Sequence, residues 1–263
     1  MRSKVDKPFL FVSIVLIVVG FFIFSSASLG LLARESSNYS SIAFSQTVLG
    51  LFLGTVAMIA VARFDIKFLK KFAFYFLIAA IVLNILVLFP QIGFEHAGAR
   101  RWIRIGSISF QTSEILKLAF IIYFAAWLSS IKDKIKTFQW GLLPLLILFA
   151  ISSILLLQQP DTDNLILIII AGLAMFVVAG GKWRHVLVIL LIGASGIVFL
   201  FYTKPYIRER FMTFFDPQSD SLGASYQIRQ SLIAIGSGVL FGRGFVQSVQ
   251  KFTYLPEPVG DSI

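Results

Sequence analysis

Seven apolar stretches alternate with short polar ones along the chain: Pro8 to Leu32, Ile42 to Ala62, Phe72 to Phe89, Ile115 to Ile131, Trp140 to Leu157, Leu165 to Ala179 and Val186 to Tyr202. Most are long enough to cross about 30 Å of hydrocarbon as helices, while the sixth is short for that task. A membrane barrel would need strands of alternating polarity, and none are evident. The pattern predicts an all-α polytopic membrane protein. Residues 1–203 form a membrane domain with seven transmembrane helices, and residues 204–263 form a large extracytoplasmic loop containing short helices. Within that loop "SLIAIGSGVLFG", Ser231 to Gly242, is apolar but too short to span and reads as an interfacial or re-entrant helix. Glycines 236, 238, 242 and 244 permit tight turns there.

Composition agrees with that picture: 57% of residues are hydrophobic and only 14% charged, against roughly a quarter charged in soluble proteins. The first stretch follows Arg2, Lys4 and Lys7, as a secretory signal would, but its apolar core exceeds the usual signal length and reads as an uncleaved anchor. With no cysteine, disulfides and thiolate metal sites are excluded. The net charge of +10 reports topology rather than nucleic-acid binding. With the N-terminus in the cytoplasm, inner segments hold Arg2, Lys4, Lys7, Arg63, Lys67, Lys70, Lys71, Lys132, Lys134, Lys136, Lys182 and Arg184. The short outer loops hold only Arg34, Arg100, Arg101 and Arg104. The positive-inside rule favours this orientation, and it leaves the arginine trio, with the interfacial Trp102, on the wrong side for topology.

Three polar groups then share the outer face, and ionisable groups clustered at membrane depth point to function. The first is "GARRWIRIGSISFQTSEILKLAF", Gly98 to Phe120. Its plainer reading is a helix start: Thr112 or Ser113 caps free amides, Glu114 sits at the positive helix end, and Lys117 pairs with it one turn later. The arginines can hold anionic headgroups or, more sharply, clamp a phosphate, whose oxygens match the guanidinium fork. The second group is "QQPDTDN", Gln158 to Asn164, where proline ends one helix and Thr162, Asp163 or Asn164 can cap the next. Its two carboxylates are too few oxygen ligands for a metal site, so a structural hinge is the expectation, with a cavity lining as the alternative. The third is the long loop. "YQIRQS" can be an amphipathic surface helix, and "QKFTYLPEPVGDSI" gathers Lys251, Glu257 and Asp261 around two prolines. A carboxylate held there can serve as a general base on a sugar hydroxyl, or be simple loop solvation. No P-loop, HExxH, GxSxG or cysteine–histidine cluster occurs, and the two histidines, His96 and His185, are expected on opposite faces.

Taken in order on one face, these groups resemble the SEDS family (shape, elongation, division and sporulation), the polytopic peptidoglycan glycosyltransferases typified by FtsW, RodA and SpoVE, with a lean towards the FtsW side. "GARRWI" with "QTSEILK" resembles that family's G-A-x-R-W-I and Q-P-S-E-x-x-K; "QQPDTDN" resembles its Q-P-D-x-G-T turn; "YQIRQSLIAIGSGVLFGRGF" and "QKFTYLPEPVGDSI" resemble the segment ending L-P-E-x-x-x-D-F-I-F. The chain departs from the pattern at Thr112 (proline), Asp163 and Asn164 (glycine and threonine), Val239 and Val246 (glycines) and Ser262 (phenylalanine). The resemblance implies ten helices, so the chain is expected to be truncated at its C-terminal side.

What the resemblance implies about chemistry is specific. The substrate would be lipid II, an undecaprenyl-pyrophosphate-linked disaccharide pentapeptide, polymerised into glycan strands at the outer face of the bacterial cytoplasmic membrane. Asp261 matches the family's loop aspartate and would be the general base. Arg100, Arg101 and Arg104 would stabilise the leaving pyrophosphate, with Arg208 and Arg210 as helpers. Gln111, Glu114, Lys117, Gln227 and Lys251 complete the expected substrate contacts. A divalent cation, Mg2+ or Mn2+, could assist the leaving group, although no protein metal site is visible. The expected partner is a class B penicillin-binding protein, with other divisome or elongasome membrane proteins. Two rival functions are a flippase for lipid-linked precursors, which predicts polar residues through the membrane midplane, and a non-catalytic scaffold for the penicillin-binding protein.

Overall fold

The computed structural model describes residues 6–33, 45–63, 65–96, 99–106, 108–215, 225–239, 242–244 and 247–255. It is helical almost throughout, and the chain divides into two compact units, one over residues 64–198 and one over residues 1–63 with 199–263. Five helical segments among the described residues are long and apolar enough to cross a membrane: Lys7–Ser28, Ile66–Leu86, Thr112–Ile131, Phe138–Gln158 and Trp183–Thr203. The second and sixth expected spans contribute the shorter apolar helices Gly50–Val61 and Thr162–Val178. The fold is that of an all-α, multi-pass membrane protein.

In the unit of residues 64–198, α3 (Ile66–Leu86) begins ahead of the expected Phe72 because Asp65 caps it, its Oδ1 accepting from the Lys67 amide at 2.9 Å. The helices α4 (Thr112–Ile131), α5 (Leu143–Gln158) and α6 (Thr162–Val178) follow, and α7 (Trp183–Thr203) closes the unit with its first turns. The helices α1 (Lys7–Ala33) and α2 (Gly54–Val61, preceded by the π-helical Ser45–Leu53) belong to the other unit. A core runs through α3 to α7: Leu77 and Ala80, then Leu116, Ala119, Phe120 and Phe124, then Leu145, Phe149 and Leu156, then Ile168 and Phe176, then Val186 and Ile189. Phe120 and Phe149 stack with ring centroids 5.8 Å apart. Gly172 of α6 lets that pair sit against the helix backbone. The outward apolar side chains, such as Phe74, Ile147, Ile170 and Leu191, are exposed; lipid tails solvate them as well as a core would.

The stretch between α3 and α4 corrects the expectation of a loop without strands. Gly93–His96, Ala99–Ile105 and Ile108–Gln111 form β1, β2 and β3 of an antiparallel sheet in the order β1-β2-β3. Phe94 pairs with Trp102, Glu95 with Arg100 across a bulge, Trp102 with Gln111 and Arg104 with Ser109. Gly106, at φ +63°, opens the β2–β3 connection, a conformation glycine adopts freely. Non-helical backbone tolerates no lipid exposure. Here each strand satisfies its neighbour.

In the other unit, α8 (Pro205–Phe215), α9 (Tyr226–Gly238) and α10 (Gln250–Thr253) follow α7. The expected short helix is thus real but starts at Tyr226 and ends at Gly238. The Tyr226 hydroxyl donates to the Tyr254 carbonyl at 3.1 Å, tying α9 to the turn after α10. Val239 terminates α9 at φ +53° and ψ −141°, a region costly for a β-branched residue. The backbone itself therefore explains why a glycine was expected at this position.

Two stability outcomes follow from these contacts. Val239→Gly should relieve the terminal strain and stabilise the purified protein by about 1 kcal/mol. Gly172→Ala should act oppositely, since its new Cβ would lie 2.7 Å from a Phe149 ring carbon and 3.0 Å from Phe120; a loss of about 1–3 kcal/mol is expected. Unfolding midpoints in detergent check both.

Candidate functional site

At the end of the 64–198 unit where α3 finishes and α4 and α6 begin, six polar or charged residues are withdrawn from solvent: Asn84, Thr112, Ser113, Gln159, Asp161 and Asn164. Polar groups in so apolar a setting persist only when they satisfy one another. The Asn84 amide donates to the Ala80 carbonyl at 2.8 Å and to the Thr112 carbonyl at 3.0 Å. Its Oδ1 accepts from Gln159 Nε2 at 3.1 Å and from the Thr112 hydroxyl at 3.2 Å. Gln159 Nε2 also donates to the Asn84 carbonyl at 3.0 Å. One asparagine thereby joins α3, the start of α4 and the α5–α6 turn.

A second branch runs towards the surface. Gln111 Nε2 donates to Asp161 Oδ2 at 2.9 Å. Asp161, 2% exposed, also accepts from the Asn164 backbone amide and from its side-chain amide. Asn164 Nδ2 further donates to the Ser113 hydroxyl at 3.1 Å, and its Oδ1 accepts from Lys117 Nζ at 2.9 Å. Lys117 pairs in turn with Glu114, 2.8 Å away. Gln111, Asp161, Asn164, Lys117 and Glu114 make a continuous polar row across two helix starts.

Several local expectations change. The Glu114–Lys117 pair is present as spaced. Thr112 and Ser113 are not caps: α4 starts after an extended Gln111 that makes no side-chain cap, and both hydroxyls turn inward to Asn84 and Asn164. Asp161, rather than Thr162, Asp163 or Asn164, caps α6. The "QQPDTDN" turn is accordingly more than a hinge, for it supplies Asp161 and Asn164 to the polar row. Its carboxylates do not form a metal cage, since Asp161 is occupied by Gln111 and Asn164. Among the described residues no group of three or more His, Asp or Glu is placed to hold a metal ion.

The sheet divides the arginines. Phe94 and Glu95 are successive in β1 and face apart, so Trp102 and Arg104 lie on the Phe94 face of β2 and Arg100 on the Glu95 face, while Arg101 is the extra residue of the bulge, without a register partner in β1. Arg100 Nε pairs with Glu95 at 2.9 Å, and the exposed Arg104 lies over the Phe94 ring at 5.2 Å. Ile103 is buried, and the Arg101 carbonyl accepts from the Thr112 hydroxyl at 3.5 Å. Arg101 Nε is itself buried with no hydrogen-bond partner. Arg100 is thus engaged by Glu95, and Arg101 occupies the bulge beside it.

Gln227 lies in α9 and the backbone of Lys251 in α10, within the other unit. Arg208 and Arg210 lie on α8. Asp261 and Glu257 fall outside the described residues. Asn84, Gln159, Asp161 and Asn164 were not singled out from sequence as site residues. A lone asparagine inside the apolar run Phe72 to Phe89 was the available signal, as an isolated polar residue within a span marks a partner elsewhere.

A multi-pass helical membrane protein with a polar site walled by helix starts and roofed by a small basic sheet is the class that this geometry defines. The chain belongs to the FtsW/RodA/SpoVE family of cell cycle proteins, whose characteristic pattern it matches over residues 7–263. It is 32% identical over 258 residues to the probable peptidoglycan glycosyltransferase FtsW of Idiomarina loihiensis, covering 98% of this chain and 62% of that protein. It is 33% identical over 262 residues to stage V sporulation protein E of Bacillus subtilis, covering 100% of this chain and 71% of that one. The chain thus spans about three fifths to seven tenths of these relatives' length. Among solved structures it is similar to a chain of a peptidoglycan synthase complex described as coordinating polymerization and crosslinking, with TM-score 0.61, 28% identity and coverage of 89% of this chain and 70% of that one. The rod shape determining protein RodA of Thermus thermophilus shares the fold, with TM-score 0.58, 24% identity and coverage of 74% and 60%.

The buried branch carries a clear stability expectation. Asn84→Leu leaves Gln159 Nε2 and the Thr112 hydroxyl without their side-chain acceptor, which should cost about 2–4 kcal/mol. Thermal unfolding of the purified variant measures it, and a midpoint equal to the parent's would show that the network contributes nothing.

Proposed function

We propose that this chain belongs to a peptidoglycan glycosyltransferase that polymerises lipid II at the outer face of the bacterial cytoplasmic membrane. Its N-terminus is placed in the cytoplasm by the excess of Lys and Arg on that side. The observation that carries the reading is the convergence of the Gln111–Lys117 helix start and the Gln159–Asn164 turn in one polar row, beside an Arg101 whose Nε is buried and unpaired. Relatives named as glycosyltransferases support it. The gathering of polar groups at one end of the helices, rather than along their middles, favours it over the flippase.

The reaction joins the acceptor's sugar hydroxyl oxygen to the donor's anomeric carbon, inverting that centre as the bond to the diphosphate oxygen breaks. The hydroxyl proton passes to a carboxylate, for which Asp261 is the candidate. The departing diphosphate gains negative charge, and fixed cations stabilise it most where water is scarce. Arg101, whose Nε is buried without a partner, is the better placed arginine for that role, with Lys117 at the adjacent helix start. Arg100, engaged by Glu95, and Arg104, over the Phe94 ring, meet the outer parts of the substrate or the partner protein. A divalent cation enters the proposal only as a counterion that the diphosphate brings. The partner is a class B penicillin-binding protein, in division or elongation.

The test is incubation of the complete protein and its partner with purified lipid II, followed by gel separation of the glycan chains. Chains should form, and Asp261→Asn should reduce them by about a hundredfold or more, in line with loss of a general base. Polymerisation undiminished in Asp261→Asn would favour the scaffold. No chains from the intact pair on verified substrate would refute the polymerase.

A further inference from the structure

Asn164 lies between a carboxylate and an ammonium that do not touch each other. It is 7% exposed, and its amide is oriented without ambiguity by what surrounds it: Nδ2 faces Asp161 and Ser113, and Oδ1 faces Lys117. An amide is suited to this place because one end only donates and the other only accepts. Aspartate would offer Lys117 an acceptor but nothing to Asp161. Leucine would offer neither.

Lys117 carries three N–H donors. Among the described residues, the side chains of Glu114 and Asn164 accept from it, at 2.8–2.9 Å. Those two acceptors come from different helices and fix the ammonium from two sides, which restrains a side chain that otherwise has four rotatable bonds. Both Glu114 oxygens and the Asn164 oxygen thus lie within reach of the three N–H donors, and the side chain keeps 22% of its surface open. Asp161 is held one link away through the same amide.

We infer that Asn164 is a positioning residue for Lys117: its carboxamide separates the ammonium from Asp161 and holds it in the polar row, where a diphosphate oxygen of the donor takes the place of one Glu114 oxygen. The inference rests on the proposed glycosyltransferase reading for its substrate, but the placement of Lys117 can be measured without turnover. A threonine here, as in the resembling family pattern, satisfies the same logic with one atom, since a hydroxyl accepts from the ammonium and donates to the carboxylate.

The experiment uses the full-length protein with its partner, in the parent and in the variants Asn164→Ala, Asn164→Asp and Asn164→Thr. One arm compares, at one fixed pH, the extent of Lys117 acetylation by mass spectrometry. Asn164→Ala removes one of its two side-chain partners and should raise the labelling severalfold, whereas Asn164→Asp and Asn164→Thr keep an acceptor and should label about as the parent does. The second arm measures kinetics on lipid II: Asn164→Ala should lower kcat about tenfold, since the Lys117 contact strengthens as the diphosphate departs, and Asn164→Thr should regain most of that loss. Unchanged labelling and kcat with a lowered unfolding temperature would reduce Asn164 to a structural residue and overturn the inference. A parent that labels as described but makes no glycan defeats the proposed function alone.

Discussion

Burying polar groups at the end of a helix bundle is costly unless they bond to one another, and that constraint organises the polar end of the 64–198 unit. Asn84 meets it by reaching back to its own helix, across to the start of α4, and out to Gln159 of the next turn. Such bonds are charge-free and modest one by one, but leaving any one unmade in an apolar setting is costly. The relative height of three helix ends is thereby set by one side chain. The second branch, from Gln111 to Glu114, stands on that platform, and its charged members keep the positions the neutral ones dictate.

The small sheet has a comparable effect on the arginines. Its register pairs Glu95 with Arg100 and brings Phe94 beneath Arg104, so two of the three cations are engaged, on opposite faces of β1. Arg101 falls at the bulge between them, and its Nε is buried without a partner. A run of basic residues in sequence thus meets three different surroundings in space.

Much of the fold was legible because hydrophobic runs of membrane length admit few alternatives. The helices fall where the apolar stretches predicted, with boundaries moved by caps: α3 starts at Ile66 because of Asp65, and α6 starts at Thr162 because of Asp161. The Glu114–Lys117 pair was legible from its spacing along one helix. The strands were not, since each is only four to seven residues long and lies between two strong helical signals. Thr112 and Ser113 were misread as caps because a hydroxyl at a helix start has that local option, and only the neighbouring Asn84 and Asn164 offer a better one.

The sequence by itself determined the class of protein, the helical spans and the family motifs, because those depend on periodicity and on residues near one another along the chain. Tertiary structure decided which polar residues share a site. Asn84 and Gln159 are far apart in sequence, as are Lys117 and Asn164, and a hydrogen bond between helices depends on packing that no local pattern encodes. It also decided which arginine meets which partner, since Arg100 reaches Glu95 and Arg104 reaches Phe94 only through the pairing of β1 with β2.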